Sequence, residues 1–131
     1  MIEVKNIVKR FGNLEVLHGV SLGIIAGEIV SIVGASGAGK STLLQIMGSL
    51  LSADSGEVII DGVKLSTLSE DKLSDFRNRH IGFIFQSYHL LPEFTAMENV
   101  MMPMLIAGSK RIDAEARARE LLDLVGMSHR V

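Results

Sequence analysis

Residues 34–41 run Gly-Ala-Ser-Gly-Ala-Gly-Lys-Ser, the pattern G-x-x-x-x-G-K-[ST], and no other stretch constrains this chain so tightly. The glycines let the backbone take positive φ and bring several N–H groups round one concavity. A helix beginning near Lys40 points the positive end of its dipole at the same place. Lys40 supplies a mobile point charge for terminal phosphates, and the Ser41 hydroxyl suits Mg²⁺. Four fixed positions of common residue types recur by chance in about one of 200 chains of this size, so the context has to decide. Residues 28–33 (EIVSIV) form a nearly continuous β-branched run, as expected for a strand covered on both faces. Residues 41–51 (STLLQIMGSLL) place Leu43, Leu44, Ile46, Met47, Leu50 and Leu51 at helical spacing. Strand, loop and helix follow in the order the chemistry needs, so the chain is expected to bind a nucleoside triphosphate.

The flanking segments fill out an α/β order. Residues 2–8 alternate in part and meet Phe11-Gly12-Asn13, a turn signal, after which 14–22 resume a strand pattern. Residues 57–60 predict a short strand closing on the tight turn Asp61-Gly62, 69–79 a polar helix, and 80–86 (HIGFIFQ) a second short buried strand. From Ala96, the residues Met97, Val100, Met101, Met104 and Leu105 predict a helix interrupted or bent at Pro103. In 113–125, Ala114, Ala118, Leu121, Leu122 and Val125 form one apolar stripe, with Asp113 the expected N-cap and Gly126 the expected C-terminal cap.

Composition removes several function classes. The 131 residues carry 13 Lys plus Arg against 15 Asp plus Glu, a formal net charge of −2, which gives no global field for nucleic acid. With no cysteine there is neither a disulfide framework nor a thiolate metal site. No apolar run approaches the ~18 residues that read as a membrane span. MIEVKNIVKR lacks the apolar core of a signal peptide, so a soluble, cytoplasmic protein is expected. His18, His80, His89 and His129 lack metal-ligand spacing, and the seven methionines suit adaptable core packing. Hydrolysis usually needs a carboxylate ending a buried strand to hold the metal, and none follows the loop. Gln86 is the one polar residue at the end of an expected buried strand downstream of it.

Four separated blocks then give a resemblance: KRFGNLEVLHGVSL at 9–22, AGEIVSIVGASGAGKSTLL at 26–44, ADSGEVIIDG at 53–62 and RHIGFIFQSYHLLPEFTAMENV at 79–100. In this order they resemble the nucleotide-binding subunits of ATP-binding cassette (ABC) transporters, and more closely the branch serving lipoprotein-releasing and macrolide-export systems. The resemblance implies an α/β fold: a P-loop NTPase core of the ABC ATPase kind, an N-terminal antiparallel β subdomain and the start of a helical subdomain. It sets 1–91 as the ATP-binding core and 92–131 as the start of the helical part. Phe11 matches the ring that stacks on adenine, where the family usually has Tyr, and Val16 the apolar floor beside it. Ser36, Gly37, Ala38, Gly39, Lys40, Ser41 and Thr42 match the phosphate loop and first helical turn. Gln86 matches the glutamine that reaches the Mg²⁺ and the attacking water. Lys40 and Gln86 thus carry the catalytic roles, and Ser41 and Gln86 the metal. Residues 87–98, from Ser87 to Glu98, resemble the surface that receives a short helix of a transmembrane permease partner, with Leu90, Leu91, Pro92 and Phe94 its apolar content.

The family carries further elements: an LSGGQ-type signature, a strand ending in Asp-Glu, a loop with Asp and a switch histidine. None occurs in residues 1–131. The chain is therefore expected to be C-terminally incomplete, binding ATP and Mg²⁺ without hydrolysing ATP by itself. In the full-length protein two subunits would sandwich ATP as a homodimer, peripheral on the cytoplasmic face of the inner membrane. A non-catalytic P-loop binding module is the alternative reading.

Overall fold

Strand β1 (Ile2–Phe11) is hydrogen-bonded along both edges, antiparallel to β2 (Leu14–Ile24) on one side and to β3 (Ser55–Ile60) on the other. The short β4 (Val63–Lys64) completes a sheet of order β2-β1-β3-β4. The computed structural model describes residues 1–130. Within them the chain divides into two compact units, one from Met1 to Arg77 and one from Asn78 onward.

The core of the first unit depends on an irregularity in β1. Val4 and Ile7 are both fully buried, although an odd spacing should put them on opposite faces. The register with both neighbours slips between them, and Asn6 sits at φ 50. This bulge turns Ile7 to the same side as Val4. Gly56 of β3 lies against the bulge: a Cβ there would stand 2.4 Å from the Asn6 carbonyl oxygen and 2.5 Å from that of Lys5. Only a residue without a side chain fits. Two two-residue turns close the hairpins. Gly12-Asn13 joins β1 to β2, and Asp61-Gly62, both at positive φ, joins β3 to β4 in the manner of a type I′ turn.

Helix α1 (Lys40–Met47) buries Leu43, Ile46 and Met47, and a cavity of about 180 Å³ is lined by Ile7, Ile46, Val58, Leu65 and Leu73 among others. Helix α2 (Glu70–His80) has no fully buried residue. It is held to the end of α1 by Arg77, which donates to the Ser49 hydroxyl and to the Ser49 carbonyl, each at 2.8 Å.

In the second unit α3 (Ala96–Ile106) packs on α4 (Arg111–Leu124) through Met97, Met101, Ala114, Ala118 and Leu122. The two alanines allow close approach, and the methionines fill the remaining space. Pro103 does not interrupt α3; the helix runs through it, and the Pro103 carbonyl still accepts from the Ala107 N–H at 3.1 Å. A capping box starts α3: Thr95 Oγ1 accepts from the Glu98 N–H at 3.2 Å, while Glu98 accepts from the Thr95 N–H at 2.8 Å. The N-cap of α4 is Lys110, not Asp113, which lies in the first turn where its charge still meets the helix dipole. Val125 is exposed, so the apolar stripe of α4 ends at Leu122. Gly126, at φ 73, closes the helix as expected, with Met127 N–H reaching the Leu122 carbonyl at 2.7 Å.

Two expected strands are not formed. Residues 28–33 have no regular structure; of the expected strand 80–86, His80 ends α2 and 81–86 are irregular, and Ile29, Val33 and Ile84 are 96%, 87% and 99% exposed. A strand exists only where another strand satisfies its backbone. Among the described residues, none pairs with either segment, because the sheet is built entirely from β1 to β4.

Gly56→Ala should therefore lower stability by about 3 kcal/mol or more, since strain at positive φ adds to a backbone clash. Gly62→Ala, also at positive φ but with open space around it, should cost about 1 kcal/mol. Urea unfolding of the two variants side by side checks the ordering.

Candidate functional site

The loop at 34–39 ends where α1 begins, and Gly39 is the hinge between them. It is the N-cap residue, at φ 93, and offers no side chain to the helix. The first bond of the helix runs from the Leu43 N–H to the Gly39 carbonyl at 2.9 Å. The amides of Lys40, Ser41 and Thr42 therefore have no acceptor within the helix. Such a terminus presents donors and a positive dipole end to an anion.

Gly39 is also the point at which the loop touches the sheet. A Cβ on it would meet Leu17 Cδ2 at 2.8 Å, Val16 Cγ1 at 2.9 Å and the Val16 carbonyl oxygen at 3.2 Å. Val16 of β2 is thus beside the loop's end, half-buried. Within the loop, Ala38 N–H donates to the Ala35 carbonyl at 3.1 Å and Gly37 stands at φ 79. The Lys40 ammonium turns back over this curve and donates to the Gly34 carbonyl and, at 2.9 Å, to the Ala35 carbonyl. Ser36, Gly37, Ala38 and Ser41 are exposed, and Thr42 is half-buried. The donor set fits a polyphosphate: one mobile cation, unpaired helix amides and an accessible hydroxyl on one short segment.

Phe11 stands at the end of β1, 49% exposed, next to the turn that leads to Val16. The Lys9 ammonium lies over its ring, 5.5 Å from the centroid. Lys9 is in turn 3.8 Å from Asp54 Oδ1, and Asp54 Oδ2 accepts the Arg10 N–H at 2.6 Å. Neither Lys9 nor Asp54 was singled out by the sequence. Lys9 and Phe11 are two apart on one strand and so share a face, which is the signal that marks the pair.

Gln86 and residues 87–98 belong to the second unit. Gln86 is exposed on the irregular segment between α2 and α3. Phe85 stacks at a tilt on both Phe83 and His89, with centroids 4.8 and 4.2 Å apart. Tyr88, Leu90, Leu91 and Phe94 are exposed. Asn99 braces this stretch from α3: its Oδ1 accepts the Leu91 N–H at 2.9 Å, and its Nδ2 donates to the carbonyls of Leu91, Phe94 and Thr95. Asn99, like the Thr95–Glu98 box, is a positioning element outside the motifs; the T-x-x-E spacing of 95–98 is the sequence signal for the box.

Comparison with known proteins bears on the family and the fold. The ABC transporter family model matches residues 17–131. The chain is 57% identical over 130 residues to the lipoprotein-releasing system ATP-binding protein LolD of Bacteroides fragilis (strain YCH46), covering 99% of this chain and 60% of that protein. It is 58% identical to the protein of the same name from Porphyromonas gingivalis (strain ATCC BAA-308 / W83), covering 99% and 59%. The chain thus spans about 60% of the length of the curated relatives it matches. Among solved structures, the ATP-binding cassette MJ0796, a dimer in a post-hydrolysis state bound to ADP and Pi, shares the fold with a TM-score of 0.85 at 40% identity. That match covers 94% of this chain and 56% of the other. With the family model spanning most of its length and the cassette fold shared at this identity, the chain belongs to the ABC transporter family.

Proposed function

We propose that this chain is the Mg-ATP-binding portion of an ABC transporter ATPase that works on a lipoprotein-releasing system. The observation that carries the reading is the Lys40 ammonium held over the loop next to the unpaired amides at the start of α1. The relatives at 57% and 58% identity, named as lipoprotein-releasing ATP-binding proteins, support the choice of system.

In this reading Ser36 to Thr42 wrap the phosphates with backbone N–H groups, and Lys40 leaves the Gly34 and Ala35 carbonyls to neutralise the terminal phosphates. Phe11 offers its open ring face to the adenine, and Val16 forms the apolar floor beside it. Ser41 and Gln86 provide oxygen ligands to Mg²⁺, which when bound neutralises charge on the phosphate oxygens. Gln86 also orients the attacking water. Residues 1–91 form the ATP-binding core, and 92–131 open the helical subdomain. The exposed apolar side chains of 87–98, braced by Asn99, receive a segment of a transmembrane permease. A second copy of the full-length protein completes the nucleotide sandwich, as the dimeric state of the ADP- and Pi-bound cassette suggests. Among the described residues no helix is long and apolar enough to cross a membrane. In this reading the protein sits on the cytoplasmic face of the inner membrane through the permease.

Calorimetry on the full-length protein tests the phosphate site. Lys40→Ala should weaken ATP binding by about 100-fold, the size of a lost charge-assisted contact of ~3 kcal/mol. Ser41→Ala should keep metal-free ATP binding and lose the gain in affinity that Mg²⁺ brings. Equal ATP affinity in Lys40→Ala and the parent would refute the site.

The docking stretch is tested separately. Leu90→Asp with Phe94→Asp should weaken association with the permease about tenfold or more, by placing charge in an apolar contact, and leave ATP affinity unchanged. Retained association in a detergent pull-down would remove 87–98 from the interface.

A further inference from the structure

The ring of Phe11 has two faces, and the structure fills one of them. The Lys9 ammonium sits over the ring at 5.5 Å from the centroid, within the range of a cation–π contact. Its side chain is only 14% exposed, so the stem is packed and the charge is held in place. Asp54 holds it there, 3.8 Å away, while accepting the Arg10 N–H at 2.6 Å. The Asp54 N–H also donates to the Val8 carbonyl at 2.9 Å, so the turn before β3 is tied to β1 on both sides of Lys9. Phe11 remains half exposed at the end of β1, paired with Leu14 beside the two-residue turn.

We propose that Lys9, clamped between the Asp54 carboxylate and the ring of Phe11, is a positioning residue for nucleotide base stacking. It occupies one face of Phe11, which leaves a single face for the base. The cation draws π-density toward itself, so the open face is less electron-rich and repels the π-cloud of a purine less. It also fixes the two side-chain torsions of Phe11 before the base arrives, which removes an ordering cost from binding. Asp54 supplies the counter-charge that keeps Lys9 in this place and out of the phosphate site. The device acts on any aromatic base, because stacking reads the π-face and not the hydrogen-bonding edge.

The proposal rests on the reading of Phe11 as the stacking ring, and the test separates the two. Affinities for Mg-ATP and for inorganic tripolyphosphate, which has no base, are measured by calorimetry on the full-length protein and its variants. Lys9→Met, which keeps the stem and removes the charge, should weaken Mg-ATP about fivefold and leave tripolyphosphate unchanged. Lys9→Arg should restore ATP binding, because a guanidinium also stacks on a ring. Asp54→Asn, which keeps an acceptor for the Arg10 N–H, should show a smaller loss with the same selectivity. In a Phe11→Ala background Lys9→Met should have no further effect. Equal loss for ATP and tripolyphosphate in Lys9→Met would overturn the proposal, making Lys9 a general phosphate attractor. Unchanged ATP affinity in Lys9→Met, with Phe11→Ala weakened, would overturn it while sparing the stacking role of Phe11. Unchanged ATP affinity in Phe11→Ala would overturn both.

Discussion

There is no room for a side chain at residue 39. Gly39 ends the phosphate loop, caps α1 and touches Val16 and Leu17 of β2, all within the space a single Cβ would occupy. Because of that contact the loop has a fixed position relative to the β1–β2 hairpin, and through it relative to Phe11. The hairpin owes its own position to register. A slip of one residue in β2 would send Val16 to the other face of the sheet. The bulge at Asn6 resists such a slip, since it sets Val4 and Ile7 on one side and leaves room in β3 for glycine alone. Two glycines, one at the loop and one in the sheet, thus connect the ring and the phosphate cradle by close backbone approach.

The same view explains which parts of the structure were legible beforehand. The loop was, because G-x-x-x-x-G-K-S states a backbone requirement that neighbours cannot alter. The Asp61-Gly62 turn and the helices α3 and α4, taken singly, were legible for a similar reason: turn chemistry and a 3.6-residue stripe are local. Residues 28–33 and 80–86 read as strands but form none in this structure, because an apolar run expresses a need for burial and says nothing about what supplies it. Pairing comes from other segments, and among the described residues the sheet is closed by β4 without them. Asp113 failed as an N-cap by the margin of one turn, which periodicity alone cannot resolve. Lys9 and Asp54 were silent for a different reason. Each is an ordinary charge in an ordinary strand or turn, and only the approach of β1 to residue 54 turns them into a pair.

Lys40 shows why the loop takes a lysine at this place. Its ammonium bridges the carbonyls of Gly34 and Ala35, at the entrance of the loop, from a residue at its exit. The side chain therefore holds the curve closed with the same group that the phosphate reading assigns to the terminal phosphates. A flexible four-carbon stem with three donors can exchange carbonyl acceptors for phosphate oxygens by rotation, without moving the backbone that Gly39 has fixed. Arginine would bring a rigid planar fork that matches two oxygens in one plane, and its extra length would push it beyond the concavity. The exchange also favours the anion, since the ammonium meets a full opposite charge on a phosphate oxygen and only a dipole on a neutral carbonyl. A loop curved by its own lysine is thus already shaped for the phosphates, and the cost of shaping it has been met in folding.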